Sequence, residues 1–142
     1  MTLTLRIPHA SPSMNDFANP HSSAKWKYRQ LRRVWHKAIT DALLEARVAD
    51  RQPLRWPRPP REHVQVVVTR YAPEHQWLDP DNLRGGLKPV LDALKKHEVI
   101  VDDNAKAIEL HDRQAVSPFA QPTRWTEIVL SIDPPMLREI HA

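Results

Sequence analysis

Asp79-Pro80-Asp81-Asn82-Leu83-Arg84-Gly85-Gly86-Leu87-Lys88-Pro89-Val90-Leu91-Asp92-Ala93-Leu94 leads, a few residues on, into Val99-Ile100-Val101-Asp102-Asp103. Leu83, Leu87, Val90, Leu91 and Leu94 recur at three- and four-residue steps, which predicts a helix from Asp81 to Lys96. Asp81 is expected to cap it, with Asn82 just inside. Pro89 presses its ring on the carbonyl of Gly85 and removes one backbone donor. The helix is therefore expected either to kink there or to start afresh after Gly85-Gly86. Val99 to Val101 reads as a short strand that delivers Asp102 and Asp103 to its end.

The acids of this stretch are more than a helix and a strand need. Asp79 and Asp81 stand two apart, so at an extended strand end both point to one side. Asp102 and Asp103 arrive at the same edge. Clustered carboxylates repel one another and cost stability unless a cation sits between them. Their hard oxygens suit Mg²⁺, with Mn²⁺ as a substitute. A lone Asp-x-Asp is more often a solvated turn, since Asp, Asn and Pro are common turn residues. The lysine and the second acid pair favour an acidic metal site instead. An EF-hand is excluded: the twelve-residue spacing would need an acid at Val90 and a glycine at Arg84. None of the eight histidines stands three or four from another, so there is no helical zinc signature.

Outward from this stretch, the 142 residues suit a single domain spanning 1–142. Cysteine is absent, which excludes disulfides, thiolate metal sites and a cysteine nucleophile, and agrees with a cytoplasmic protein. No apolar run reaches the ~18 residues of a membrane span, so no membrane partner is expected. Net charge is +4 and the pI about 9.7. A basic surface suits a polyanion, and the local acids suit the metal that would attack one.

Thr2 to Ile7 alternates with Leu3, Leu5 and Ile7 on one face, a half-buried strand ended by Pro8. A polar loop follows from 9 to 22. A long helix is expected from a cap at Ser22 or Ser23 to about Val48, with Leu31, Val34, Trp35, Ala38, Ala42, Leu43 and Ala46 as its apolar stripe. Lys25, Lys27, Arg29, Arg32, Arg33 and Lys37 crowd its first half. That face is either a solvated one or a grip on a phosphate backbone. Arg51 to Arg61 is broken by prolines and reads as an exposed connector. His63 to Tyr71 is a valine-rich strand. Ala105 to His111 and Trp125 to Ile132 are further strands, and the tail after Pro134-Pro135 is either one helical turn or loose. The fold class is α+β: one mixed, mainly antiparallel sheet of about four to five strands packed with two main helices.

These residues together resemble the RusA-type Holliday junction resolvases. The resemblance is specific over 79–103: Asp79-Pro80-Asp81-Asn82-Leu83, Lys88 four residues before Asp92-Ala93-Leu94, and Asp102-Asp103 about ten beyond. Pro12-Ser13-Met14-Asn15 is similar to the family's early-loop signature. The resemblance implies a homodimeric, Mg²⁺-dependent endodeoxyribonuclease that resolves four-way DNA junctions by paired nicks in recombination and repair. It implies Asp79, Asp81 and Asp103 as metal-binding acids, Asp102 as their neighbour, and Lys88 as the catalytic lysine. Lys25, Lys27, Arg29, Arg32, Arg33, Asn15 and Asn82 form the expected DNA-contacting set. This chain has about three more residues between Asp81 and Lys88 than the shortest family pattern. Seven residues are nearly two helical turns, so in a continuous helix Lys88 keeps the face of Asp81.

Two other readings share the residues. A nuclease for flaps and forks would carry identical acids. A diverged, non-catalytic basic DNA-binding module would keep the basic helix without needing the acids and the lysine.

Overall fold

Four strands form one sheet in the order β1-β4-β2-β3, in a computed structural model that describes residues 1–18, 23–49 and 55–132. The strands are β1 (Thr2–Ile7), β2 (Val64–Tyr71), β3 (Ile108–Ala115) and β4 (Trp125–Ser131). β4 pairs antiparallel with β1 and with β2, while β2 and β3 run parallel. The helices are α1 (Ser23–Ala49), α2 (Pro80–Gly85) and α3 (Lys88–Lys96). This is the expected α+β domain with a mixed, mainly antiparallel sheet and two main helices, α1 and α3. Ser22 and the tail after Pro134 lie outside the described residues, as do the first residues of the proline-broken segment.

Alternation sets the core. Leu3, Leu5, Ile7, Val64, Val66, Val68, Ile128 and Leu130 are buried on one face of the sheet. Trp35, Ile39 and Leu43 of α1 and Val90, Leu91 and Leu94 of α3 join them in one cluster. Two stacked imidazoles, His36 and His97, tie α1 to the end of α3, with ring centroids 4.4 Å apart. The connector is less exposed than its composition suggests. Trp56 is buried and donates its indole N–H to the Val99 carbonyl at 2.9 Å.

The predicted helix over 81–96 starts afresh, as two helices. Gly86 and Leu87 keep right-handed backbone angles, but the Leu87 N–H reaches Arg84 rather than Leu83. Restarting at Lys88 puts Pro89 in a first turn, where its missing N–H costs nothing. The face argument from Asp81 to Lys88 assumed a continuous ladder and does not carry across this break.

Two strand boundaries also differ. Val99–Val101 is not a strand but the close of α3. The Val99 N–H bonds back to the Leu94 carbonyl and the Glu98 N–H to Lys95, with Glu98 at φ 57°. That is a Schellman ending; with Trp56 on its carbonyl, Val99 has no backbone group left for a ladder. β3 starts at Ile108 rather than Ala105, because the Asn104 side chain accepts from the N–H groups of Lys106 and Ala107 and folds that segment into a turn. It runs on to Ala115, past the polar Asp112 and Gln114.

Those two polar residues hold the segment that carries the acids. The Gln114 amide makes paired hydrogen bonds with the Leu78 backbone at 2.8 and 2.9 Å. Asp112 pairs with Arg84 of α2 at 2.9 Å. Arg70 of β2, 5 % exposed, donates to the carbonyls of Ser11 and Gln76 and so fastens both loops to the sheet. The loop 12–14 then packs on α2. A Cβ on Gly86 would overlap the Pro12 carbonyl oxygen, and one on Gly85 would meet the flexible Met14 side chain.

Backbone cannot yield as a methionine side chain can. Gly86→Ala should therefore destabilise by about 2 kcal/mol, and Gly85→Ala by clearly less. Urea midpoints of the two variants check the order.

Candidate active site

Asp79, not Asp81, caps α2. Its Oδ1 accepts from the Asn82 N–H at 2.9 Å and its Oδ2 from the Asn82 side-chain amide at 2.7 Å. The reason is Pro80, whose fixed φ and missing N–H suit the first helical position, so the cap falls one residue before it. The expected strand-end geometry for Asp79 and Asp81 is therefore replaced by a helix N-terminus, with Asp81 exposed in the first turn. That end of a helix favours negative charge. Asn82, expected at the DNA, has its amide turned onto Asp79.

The second acid pair follows α3. Asp102 accepts from the Asp103 N–H at 2.8 Å, from Asn104 at 3.2 Å and from Lys95 Nζ at 3.3 Å. Hydrogen bonding with Asp103, its N–H first, and then with Lys95 holds the Asp102 carboxyl below the usual range. Asp102 is thus committed to a local turn, while the neighbouring Asp103 is exposed. The ion pairs among the described residues use Asp41, Asp102, Glu109 and Asp112, and leave Asp79, Asp81 and Asp103 without a cationic partner.

Lys88 opens α3 with its Nζ 5.3 Å from the centre of the Tyr28 ring. Tyr28 lies on α1, donates its hydroxyl to Asp92 of α3, and packs against Phe17 at 5.3 Å. Arg32 sits 5.9 Å from the same ring. Burial, then the Asp92 carboxylate, pushes the Tyr28 hydroxyl well above the usual tyrosine range, and the Asp103 charge adds to this. Lys88 and Asp92 are therefore gathered around Tyr28. Among the described residues, no three His, Asp or Glu side chains form a ready-made metal cage. The donor chemistry nevertheless fits a hard divalent ion, because Asp79, Asp81 and Asp103 offer exposed carboxylate oxygens that no ion pair among the described residues engages.

The basic residues fall into two groups. Arg29, Arg32 and Arg33 line an open groove of about 250 Å³ between α1 and α3, together with His36, Asp92, Ala93 and Lys96. Lys25 and Lys27 are exposed further toward the start of α1 and do not line it. Asn15 is exposed in a single 3₁₀ turn, Met14–Asp16, which Ser13 and Asp16 close with a capping box. Sequence reading missed Tyr28 and Lys96. The only signals were an aromatic residue inside the basic run and a lysine pair at a helix end. Comparison with protein-family models and with curated proteins finds no match.

The Asp79 cap has a pH signature. Hydrogen bonds from the Asn82 backbone, then its side chain, hold the carboxyl below its ordinary 3.8. A depressed folded value stabilises the fold above the unfolded pKa, and that contribution is lost as pH falls through the folded value. The melting temperature of wild type should exceed that of Asp79→Asn at neutral pH. The gap should narrow below pH 3.8 and close in stronger acid.

Proposed function

We propose that this protein is a Mg²⁺-dependent endodeoxyribonuclease of RusA type, acting on branched DNA and resolving four-way junctions by paired nicks. The observation that carries this reading is the set of exposed, uncompensated carboxylates Asp79, Asp81 and Asp103 on the elements that flank Lys88. In this reading Asp79, Asp81 and Asp103 hold the ion, and Asp102 steadies the loop that carries Asp103. When bound, Mg²⁺ or Mn²⁺ supplies Lewis-acid neutralisation of the phosphoryl oxygens and a more acidic water. Lys88 contributes a positive charge where the phosphate becomes more negative. Asn82 keeps the Asp79 carboxylate oriented. Arg29, Arg32 and Arg33, with Lys25 and Lys27 beside them, grip the DNA backbone, and Asn15 stands on the loop next to α2.

A junction offers two scissile strands related by a two-fold axis, and one chain carries one copy of the proposed metal-binding acids. A homodimer supplies two. Trp35, Trp56 and Trp125 are core residues, which leaves Trp26 and Trp77, 61 % and 40 % exposed, for such an interface. No described helix is long and apolar enough to cross a membrane, and a DNA substrate in a chain without cysteine agrees with a cytoplasmic protein.

The test is cleavage of labelled four-way junctions, forks, flaps and linear duplex, with and without Mg²⁺. Paired junction nicks are expected only with the metal, from a species sedimenting at about twice 16.5 kDa. Asp81→Asn should lower cleavage roughly a thousandfold while junction binding is kept or improved. Cleavage of forks and flaps alone would favour the alternative nuclease, and binding without any cleavage the non-catalytic module.

Grip on the backbone has a separate readout. Arg32→Ala and Arg33→Ala should each flatten the slope of log affinity against log salt by about 0.9. Unchanged slopes would make that face merely solvated.

A further inference from the structure

Lys88 and Asp92 stand one turn apart on α3, where an i,i+4 pair of opposite charges normally meets. They do not pair here: no ion pair among the described residues joins them. One residue on the neighbouring helix engages both. The Tyr28 hydroxyl donates to Asp92 Oδ2, and the face of its ring receives the Lys88 ammonium at 5.3 Å from the centroid. Phe17 packs on the ring and helps to fix its tilt.

We propose that Tyr28 and Asp92 are positioning residues for Lys88, the ring holding the ammonium while the hydroxyl occupies the carboxylate that would otherwise pair with it. A cation–π contact attracts the ammonium without neutralising it and leaves its N–H groups free for a phosphate oxygen. A carboxylate partner would satisfy those donors and cancel the charge. Lys88 is exposed, so little else limits its rotamers. The other charges that act on Tyr28 are Arg32, whose guanidinium is 5.9 Å from the ring centre, and Asp103, whose charge is felt at the hydroxyl. This assignment rests on the proposed nuclease reading for its catalytic consequence, but not for its geometry.

Two measurements separate the two. The first follows the ring-current shifts of the Lys88 side-chain methylene protons by NMR in wild type, Tyr28→Phe and the double variant Tyr28→Phe/Asp92→Asn. Phenylalanine keeps the ring and frees Asp92 to draw the ammonium off it. The ring-current shifts should then shrink in Tyr28→Phe and return in the double variant. The second is junction cleavage by the same proteins, with melting curves to confirm that each is folded. Tyr28→Phe should lower kcat roughly tenfold with little change in KM, and the double variant should recover most of the loss.

A tyrosine that merely packs two helices predicts the opposite, with the double variant at least as impaired as the single. That result, or Lys88 ring-current shifts unmoved by Tyr28→Phe, overturns the assignment. If wild type cuts no branched DNA, the nuclease reading fails, and the Lys88 ring-current shifts alone decide whether Tyr28 restrains it.

Discussion

The close approach of Pro12 to Gly86 governs how the acids and the lysine are arranged. Only a residue without a Cβ lets the Pro12 carbonyl reach that backbone. The contact sits where the chain leaves α2 and prepares α3, two residues before Lys88 and five after Asp81. Arg70 holds the other side of the same loop by the Ser11 carbonyl, and through Gln76 it also holds the segment leading to Asp79. One buried guanidinium and one side-chain-free position thus bind the early motif, the acid motif and the sheet into a single unit. This is a physical reason for Pro12-Ser13-Met14-Asn15 and Asp79-Pro80-Asp81-Asn82-Leu83 to occur in the same chain.

Periodicity made most of the scaffold legible. β1, the first five residues of β2, and β4 from Thr126 alternate, and most of the α1 stripe is buried although Val34 is exposed, because each packs one face on a common core. The errors fall where a backbone or side-chain hydrogen bond overrides the pattern. Val99-Ile100-Val101 has strand composition, yet Val99 has both backbone groups engaged by the end of α3 and by Trp56. The end of β3 was hidden because Asp112 and Gln114, at inward positions, look like solvent-facing residues. They face inward to hold Arg84 and Leu78, a tertiary demand that no local window contains.

The candidate site could be read as a list of residues more than as a geometry. Residue type and spacing singled out the four acids and the lysine as candidates, since such types suit the proposed chemistry. It misjudged the cap, because Pro80 moves the helix start and brings Asp79 rather than Asp81 onto the backbone amides. Tyr28 was invisible for a different reason. A tyrosine among lysines and arginines on an amphipathic helix has many uses, and its contacts with Lys88 and Asp92 depend on how α1 packs on α3.

The extra residues between Asp81 and Lys88 have a consequence beyond spacing. In one unbroken helix, the lysine and the acids would be locked in register by the backbone ladder. Here α2 is docked by Arg84 and Gln114 to the sheet edge, while α3 is docked by its apolar face, by the His36–His97 stack and by Tyr28. Asp79 and Asp81 on one side and Lys88 on the other therefore belong to separately anchored helices joined at a two-residue break. Their mutual placement is set by tertiary contacts rather than by helical phase. A side chain such as Tyr28, which engages both Lys88 and a neighbouring acid from outside their helix, is then the kind of restraint that a broken helix requires and a continuous one would not.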